Sequence, residues 1–114
     1  MSDGWRRVRA GRLADVPPDR PHPLEIDGAP LVLVRAGESV YACGAVCAHK
    51  GGPLADGKLS GTRLACPWHG WMYDVRTGAC VFPGRGARVP AYATHVDGDG
   101  EVWVELPADG RPAC

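Results

Sequence analysis

Cys47 and His49 stand either side of one residue, Cys66 and His69 either side of two, and residues 50–65 separate the pairs. Each pair offers one soft thiolate and one imidazole. Both pairs sit among small residues: Gly51, Gly52 and Pro53 follow the first, while Pro67 and Gly70 accompany the second. Two loops projected from neighbouring hairpins can close on one metal centre, because glycine lets backbone approach sulfur and iron closely. Donors of this kind suit tetrahedral zinc or an iron–sulfur cluster.

Structural zinc in a Cys2His2 site usually takes two cysteines from one local pair and two histidines from another. Here each local pair is mixed. In a [2Fe-2S] cluster with two histidines on one iron and two cysteines on the other, each loop supplies one ligand to each iron, which is the Rieske arrangement. Cys47-Ala48-His49-Lys50-Gly51-Gly52-Pro53-Leu54 resembles the first ligand box of the Rieske family. Cys66-Pro67-Trp68-His69-Gly70-Trp71-Met72-Tyr73-Asp74 resembles the second, and the similarity runs on through Thr77 and Gly78. The resemblance implies a Rieske [2Fe-2S] cofactor whose buried iron is held by Cys47 and Cys66 and whose outer iron is held by His49 and His69. Two thiolates with two sulfides and two ferric ions make a neutral oxidised centre, whereas four thiolates would make a dianion. The neutral centre accepts an electron more readily, so Rieske potentials exceed those of plant-type ferredoxins. Ferric charge also lowers the pKa of a coordinated imidazole, so redox state and protonation of His49 and His69 are expected to be linked.

High-potential Rieske proteins of respiratory complexes carry a further cysteine in each loop, joined as a disulfide. The corresponding places here hold Gly52 and Trp68, so that bridge is not expected. Trp71 stands where those proteins place a serine whose hydroxyl donates to the cluster, while Tyr73 matches the family's tyrosine. Fewer donors stabilise the reduced cluster less, which predicts a potential toward the low end of the range, roughly −150 mV. Oxygenase large subunits share the Gly70-Trp71 pair, but they also need a mononuclear iron held by two histidines and a carboxylate. Only His22 and His95 remain for that role, and both read as strand or surface histidines. The ferredoxin component of bacterial ring-hydroxylating dioxygenase systems is the better resemblance for 114 residues.

The elements that must position these loops are short. Sixteen glycines and eleven prolines make about a quarter of the chain, and the longest stretches free of both are residues 71–77 and 91–97. Interior glycine or proline costs a helix roughly 1 to 3 kcal/mol, so helix bundles and wound α/β folds are excluded. Apolar residues at 45% argue against disorder. Leu24-Glu25-Ile26-Asp27, Leu31-Val32-Leu33-Val34 and Ser39-Val40-Tyr41-Ala42-Cys43 read as a strand meander. His95-Val96 and Val102-Trp103-Val104-Glu105-Leu106 flank Asp97-Gly98-Asp99-Gly100, a hairpin signal. Two further hairpins are expected around Ser60-Gly61 and Arg76-Thr77-Gly78. The expected architecture is all-β: a single Rieske domain over residues 1–114, with an antiparallel β-sandwich base and a small inserted cluster-binding subdomain at about 44–90. Trp5, Trp103 and Tyr41 are expected in the core, while Trp68 and Trp71 either shield the cluster beside a ligand or pack in the core. Cys43 and Cys80 read as small buried thiols and Cys114 as a free terminal thiol.

Thirteen basic and thirteen acidic residues give no global field toward nucleic acid or an anionic membrane. Arg6, Arg7, Arg9 and Arg12 read as a solvated strand face, and Arg85, Arg88 and Lys50 equally as a rim where a partner docks or as solvated loop charges. No apolar run approaches the ~20 residues of a membrane span, and the first residues lack a secretory core. Cytoplasmic residence follows as the expectation, as does metal chemistry for the cysteines. The expected function is one-electron transfer, without catalysis of its own, from a flavin-dependent reductase to a terminal oxygenase by a carrier that is monomeric when free. The alternatives are a small Rieske subunit of a larger reductase, such as an assimilatory nitrite reductase, and a zinc-stabilised interaction module.

Overall fold

In the computed structural model the described residues are 5–26, 28–47, 51–68, 70–84 and 86–107. Within them the chain forms antiparallel strands and two short 3-10 turns, with no α-helix. The organising strand is β3, Ala29–Ala36, whose Leu31-Val32-Leu33-Val34 run is entirely buried. Successive strand residues point to opposite faces, so an unbroken apolar run requires cover on both sides. Leu31 and Leu33 enter one core, Val32 and Val34 another. β2 (His22–Ile26), β4 (Ser39–Gly44) and β9 (Ala91–Tyr92) complete this sheet in the order β2-β3-β4-β9.

A second sheet, ordered β1-β11-β10, joins β1 (Trp5–Arg12), β10 (Thr94–Val96) and β11 (Glu101–Pro107). Val102, Val104 and Leu106 of β11 pack with Leu31, Leu33, Val40 and Ala42 to form the sandwich core. That alternation turns Trp103 to the other face, where its indole N–H donates to Asp97 Oδ2 at 3.0 Å and the ring is half-buried. Trp5 pairs with Pro107 at the sheet's end and is 36% exposed. Neither tryptophan therefore fills the core as expected, since the inward positions of these strands belong to aliphatic residues. Tyr41 packs at the margin of the other core. The expected Asp97 hairpin is present, its carboxylate accepting from the N–H groups of Asp99 and Glu101.

The arginines of β1 face the acidic residues of β11: Arg7 pairs with Glu105, and Arg9 and Arg12 with Glu101. The side chains of Arg7, Arg9 and Arg12 stay about half exposed. No helix among the described residues is long and apolar enough to cross a membrane.

The third sheet is a meander of β5 (Lys58–Ser60), β6 (Arg63–Ala65), β7 (Met72–Asp74) and β8 (Cys80–Phe82). Leu64, Tyr73 and Val75 from this segment meet Val32, Val34 and Cys43 in the second core, together with Leu54 and Val89. The sheet carrying β3 and β4 is thus shared by the sandwich and by the segment that bears the cysteine loops.

Candidate metal centre

Residues 45–53 connect β4 to the 3-10 turn Leu54–Asp56, and residues 66–71 connect β6 to β7. The two loops close with the same hydrogen bonds. Cys47 N–H donates to Gly52 O at 2.9 Å and Gly51 N–H to Cys47 O at 3.0 Å; Cys66 N–H donates to Trp71 O at 2.7 Å and Gly70 N–H to Cys66 O at 3.0 Å. Gly51 and Gly70 occupy the same place in each frame, with φ of 74° and 73°. This left-handed backbone strains any residue with a Cβ, which is why glycine ends both turns. The first loop is tied down further by Leu54 N–H donating to Ala45 O at 2.9 Å and by the bridge between Val46 and Pro53.

Each frame buries its cysteine, Cys47 at 3% and Cys66 at 4% exposure. The Tyr73 hydroxyl, itself fully buried on β7, lies 3.2 Å from Cys47 Sγ. A deprotonated sulfur has no proton to give, so the hydroxyl is the donor whenever Cys47 is a thiolate. The loops also approach one another directly. A Cβ built on Gly52 would stand 2.7 Å from Cys66 Sγ, a contact that only glycine avoids.

His49 and His69, with Lys50, Arg85 and Cys114, lie outside the described residues. Accordingly, no three His, Cys, Asp or Glu side chains among the described residues are grouped to hold a metal ion. Of the remaining histidines, His22 sits on β2 and His95 on β10, in different sheets. Cys43 and Cys80 are buried in the same core as the loop cysteines. Burial pushes the Cys43 thiol up to about 12, which keeps it protonated and unreactive. Cys80 Sγ donates to Phe82 O at 3.2 Å.

Two contacts around the site go beyond the expectations, which placed Trp68 beside the cluster or in the core without naming its seat. Asp74 sits at the end of β7 with its carboxylate accepting from Arg76 N–H at 3.0 Å and from the Arg76 guanidinium at 2.8 Å. The guanidinium bond holds the Asp74 carboxyl below the usual range. The other is Trp68, 55% exposed, whose ring lies over Gly52. An acid two residues before an arginine in a turn is a readable signal for the first. Nothing local in the sequence indicates the second.

Residues 6–93 match the model of the Rieske [2Fe-2S] domain. The chain belongs to the Rieske [2Fe-2S] family. Rieske membership implies a Rieske-type cluster and decides between the two metals that the residue types left open. The residues present fit that group: buried thiols at the base of paired glycine-closed loops, a hydroxyl aimed at one sulfur, and a glycine where the loops meet.

Among curated relatives, the oxygenase component of 3-ketosteroid-9-alpha-monooxygenase from Rhodococcus rhodochrous is 30% identical over 96% of this chain, which spans 29% of that protein. The chain spans less than a third of the length of such relatives. Among solved structures, the ferredoxin of carbazole 1,9a-dioxygenase from Nocardioides aromaticivorans is 36% identical, with 86% of this chain and 95% of that one covered and a TM-score of 0.79. A chain from a complex of reduced oxygenase and oxidized ferredoxin in carbazole 1,9a-dioxygenase is 26% identical, with 96% and 97% covered and a TM-score of 0.79. A nitrite reductase small subunit from Mycobacterium tuberculosis, 23% identical with 90% and 96% covered and a TM-score of 0.80, shares the Rieske fold.

Proposed function

We propose that this Rieske protein is a one-electron carrier of the cytoplasm, taking electrons from a flavin-dependent reductase and delivering them to a terminal oxygenase, without bond-making chemistry of its own. In this reading residues 1–114 act as one domain, monomeric when free, with the segment at about 44–90 as its cluster-binding part. Cys47 and Cys66 hold the inner iron, and His49 and His69 hold the outer iron through one ring nitrogen each. The bound cluster supplies reversible one-electron acceptance.

The observation that carries this reading is the pair of matched loops, with sulfurs buried beneath and apolar side chains above. Val46 and Trp68 are 51% and 55% exposed, and Phe82, at the same end of β8, is 63% exposed. Register explains the last: β8 is irregular between the partners of Met72 and Tyr73, so Val81 is an extra residue and Phe82 is also turned outward. Exposed apolar side chains beside a site suit a transient partner surface. The likeness to ferredoxins, one of them from a complex with its oxygenase, supports the direction of transfer.

Inside the site the protein's own groups set the conditions. Tyr73 donates to the Cys47 sulfur and favours its more negative state, while aliphatic packing around both sulfurs keeps water away. Trp71 takes the place of a further hydroxyl donor, which keeps the potential low.

The test is to purify the protein, measure iron and acid-labile sulfide, record its electron spin resonance spectrum, and mix the reduced form with candidate oxygenases. The expected result is two irons and two sulfides per chain, a Rieske signal, and rapid reoxidation by one oxygenase. A colourless protein holding zinc, or a chain that isolates only within a larger reductase, would overturn it.

A further inference from the structure

Gly52 closes the first loop frame, and its Cα faces the second loop. A Cβ placed there would stand 2.7 Å from Cys66 Sγ, 3.1 Å from Trp68 Cδ2 and 3.2 Å from Trp68 Cγ. No side chain fits at this position. Sulfur and indole lie within one side chain's width of each other, both against the backbone of the opposite loop.

Trp68 is not a core residue. At 55% exposure it stays largely in solvent, while the cysteine two positions before it is 4% exposed. An indole that leaves so much apolar area in water has gained little from general burial. What it does cover is specific: Gly52 of one loop and the approach to the Cys66 sulfur of its own.

We infer that Trp68, seated on Gly52, is a positioning residue: a clasp that holds the two cysteine loops at their working separation and keeps water from the Cys66 sulfur. This rests on the reading of Cys47 and Cys66 as ligands. Small and large are paired across the loops, with glycine in one making room for tryptophan from the other. Removing either member should loosen the site without unfolding the domain, because neither belongs to a core.

The clasp is tested on purified, cluster-loaded protein by the rate of iron release to a chelator and by redox titration. Trp68→Ala is expected to release iron about tenfold faster, the lower end of what supporting residues around metal sites contribute. Its potential is expected to rise, because water admitted to the Cys66 sulfur donates hydrogen bonds to the reduced, more negative centre. Trp68→Phe restores an aromatic face and should return both values toward wild type. Gly52→Ala drives a methyl group into the sulfur and should also speed release. An unchanged potential in Trp68→Ala, whatever the release rate, would reduce the indole to packing and overturn the clasp alone. Wild-type protein lacking iron and sulfide would overturn the proposed function and the clasp with it.

Discussion

The Tyr73 hydroxyl meets the buried Cys47 sulfur, and with that sulfur as the proposed ligand its charge grows when the centre is reduced, so the hydrogen bond is worth more in one redox state than in the other. A differential of about 1 kcal/mol, ordinary for one hydrogen bond, corresponds to about 40 mV for one electron. Tyr73→Phe is therefore expected to lower the reduction potential by about that amount in a redox titration, with the fold kept. Asp74, one residue along, acts on stability instead. Its carboxyl is held below the ordinary Asp value of about 3.9 by the Arg76 guanidinium, so its contribution is complete above that value and is lost as pH falls through the lower folded one. Acid unfolding followed by circular dichroism should show this loss in the wild type. Asp74→Asn, which accepts less strongly, should be less stable at pH 7 by about 1 to 2 kcal/mol and lose less on acidification.

At the scale of elements, much of the fold was legible. The Leu24 to Cys43 meander, the hairpins at Ser60-Gly61 and Arg76-Thr77-Gly78, and the Asp97 turn all follow from β-branched runs between residues with special backbone needs. What the pattern concealed was direction. Leu31-Val32-Leu33-Val34 reads as a strand in any context, but only the third sheet explains why all four are apolar. Trp103 was misplaced for the related reason that β11 alternates, and its aliphatic neighbours own the inward face. The two-faced β3 yields a separation of effects. Leu33→Ala in the sandwich core and Leu64→Ala in the second core should each cost about 2 to 5 kcal/mol in denaturant unfolding. Leu64 leads through β6 directly into Cys66, so its variant alone should also release iron faster.

For the whole molecule, sharing one sheet between two cores makes metal binding and folding parts of one equilibrium. Whatever binds the native state and not the unfolded chain stabilises it by mass action. Removing iron and sulfide is expected to lower Tm, and the loss should be seen in the sandwich as well as near the loops; unchanged melting of the apo-protein would show the halves to be uncoupled. Two of the four expected ligands, Cys47 and Cys66, can be followed into buried, matched frames. His49 and His69 lie outside the described residues, and their role rests on the proposal. The seat of Trp68 on Gly52 was not legible at all, since it depends on how two loops distant in sequence are brought together by the sheets beneath them.

The matched frames repeat one construction in both loops. The cysteine, the left-handed glycine and the acceptor after it are committed to the same backbone bonds in each. One short backbone unit is thus used twice, and a side chain placed at Gly51 or at Gly70 would meet the same left-handed strain in either copy.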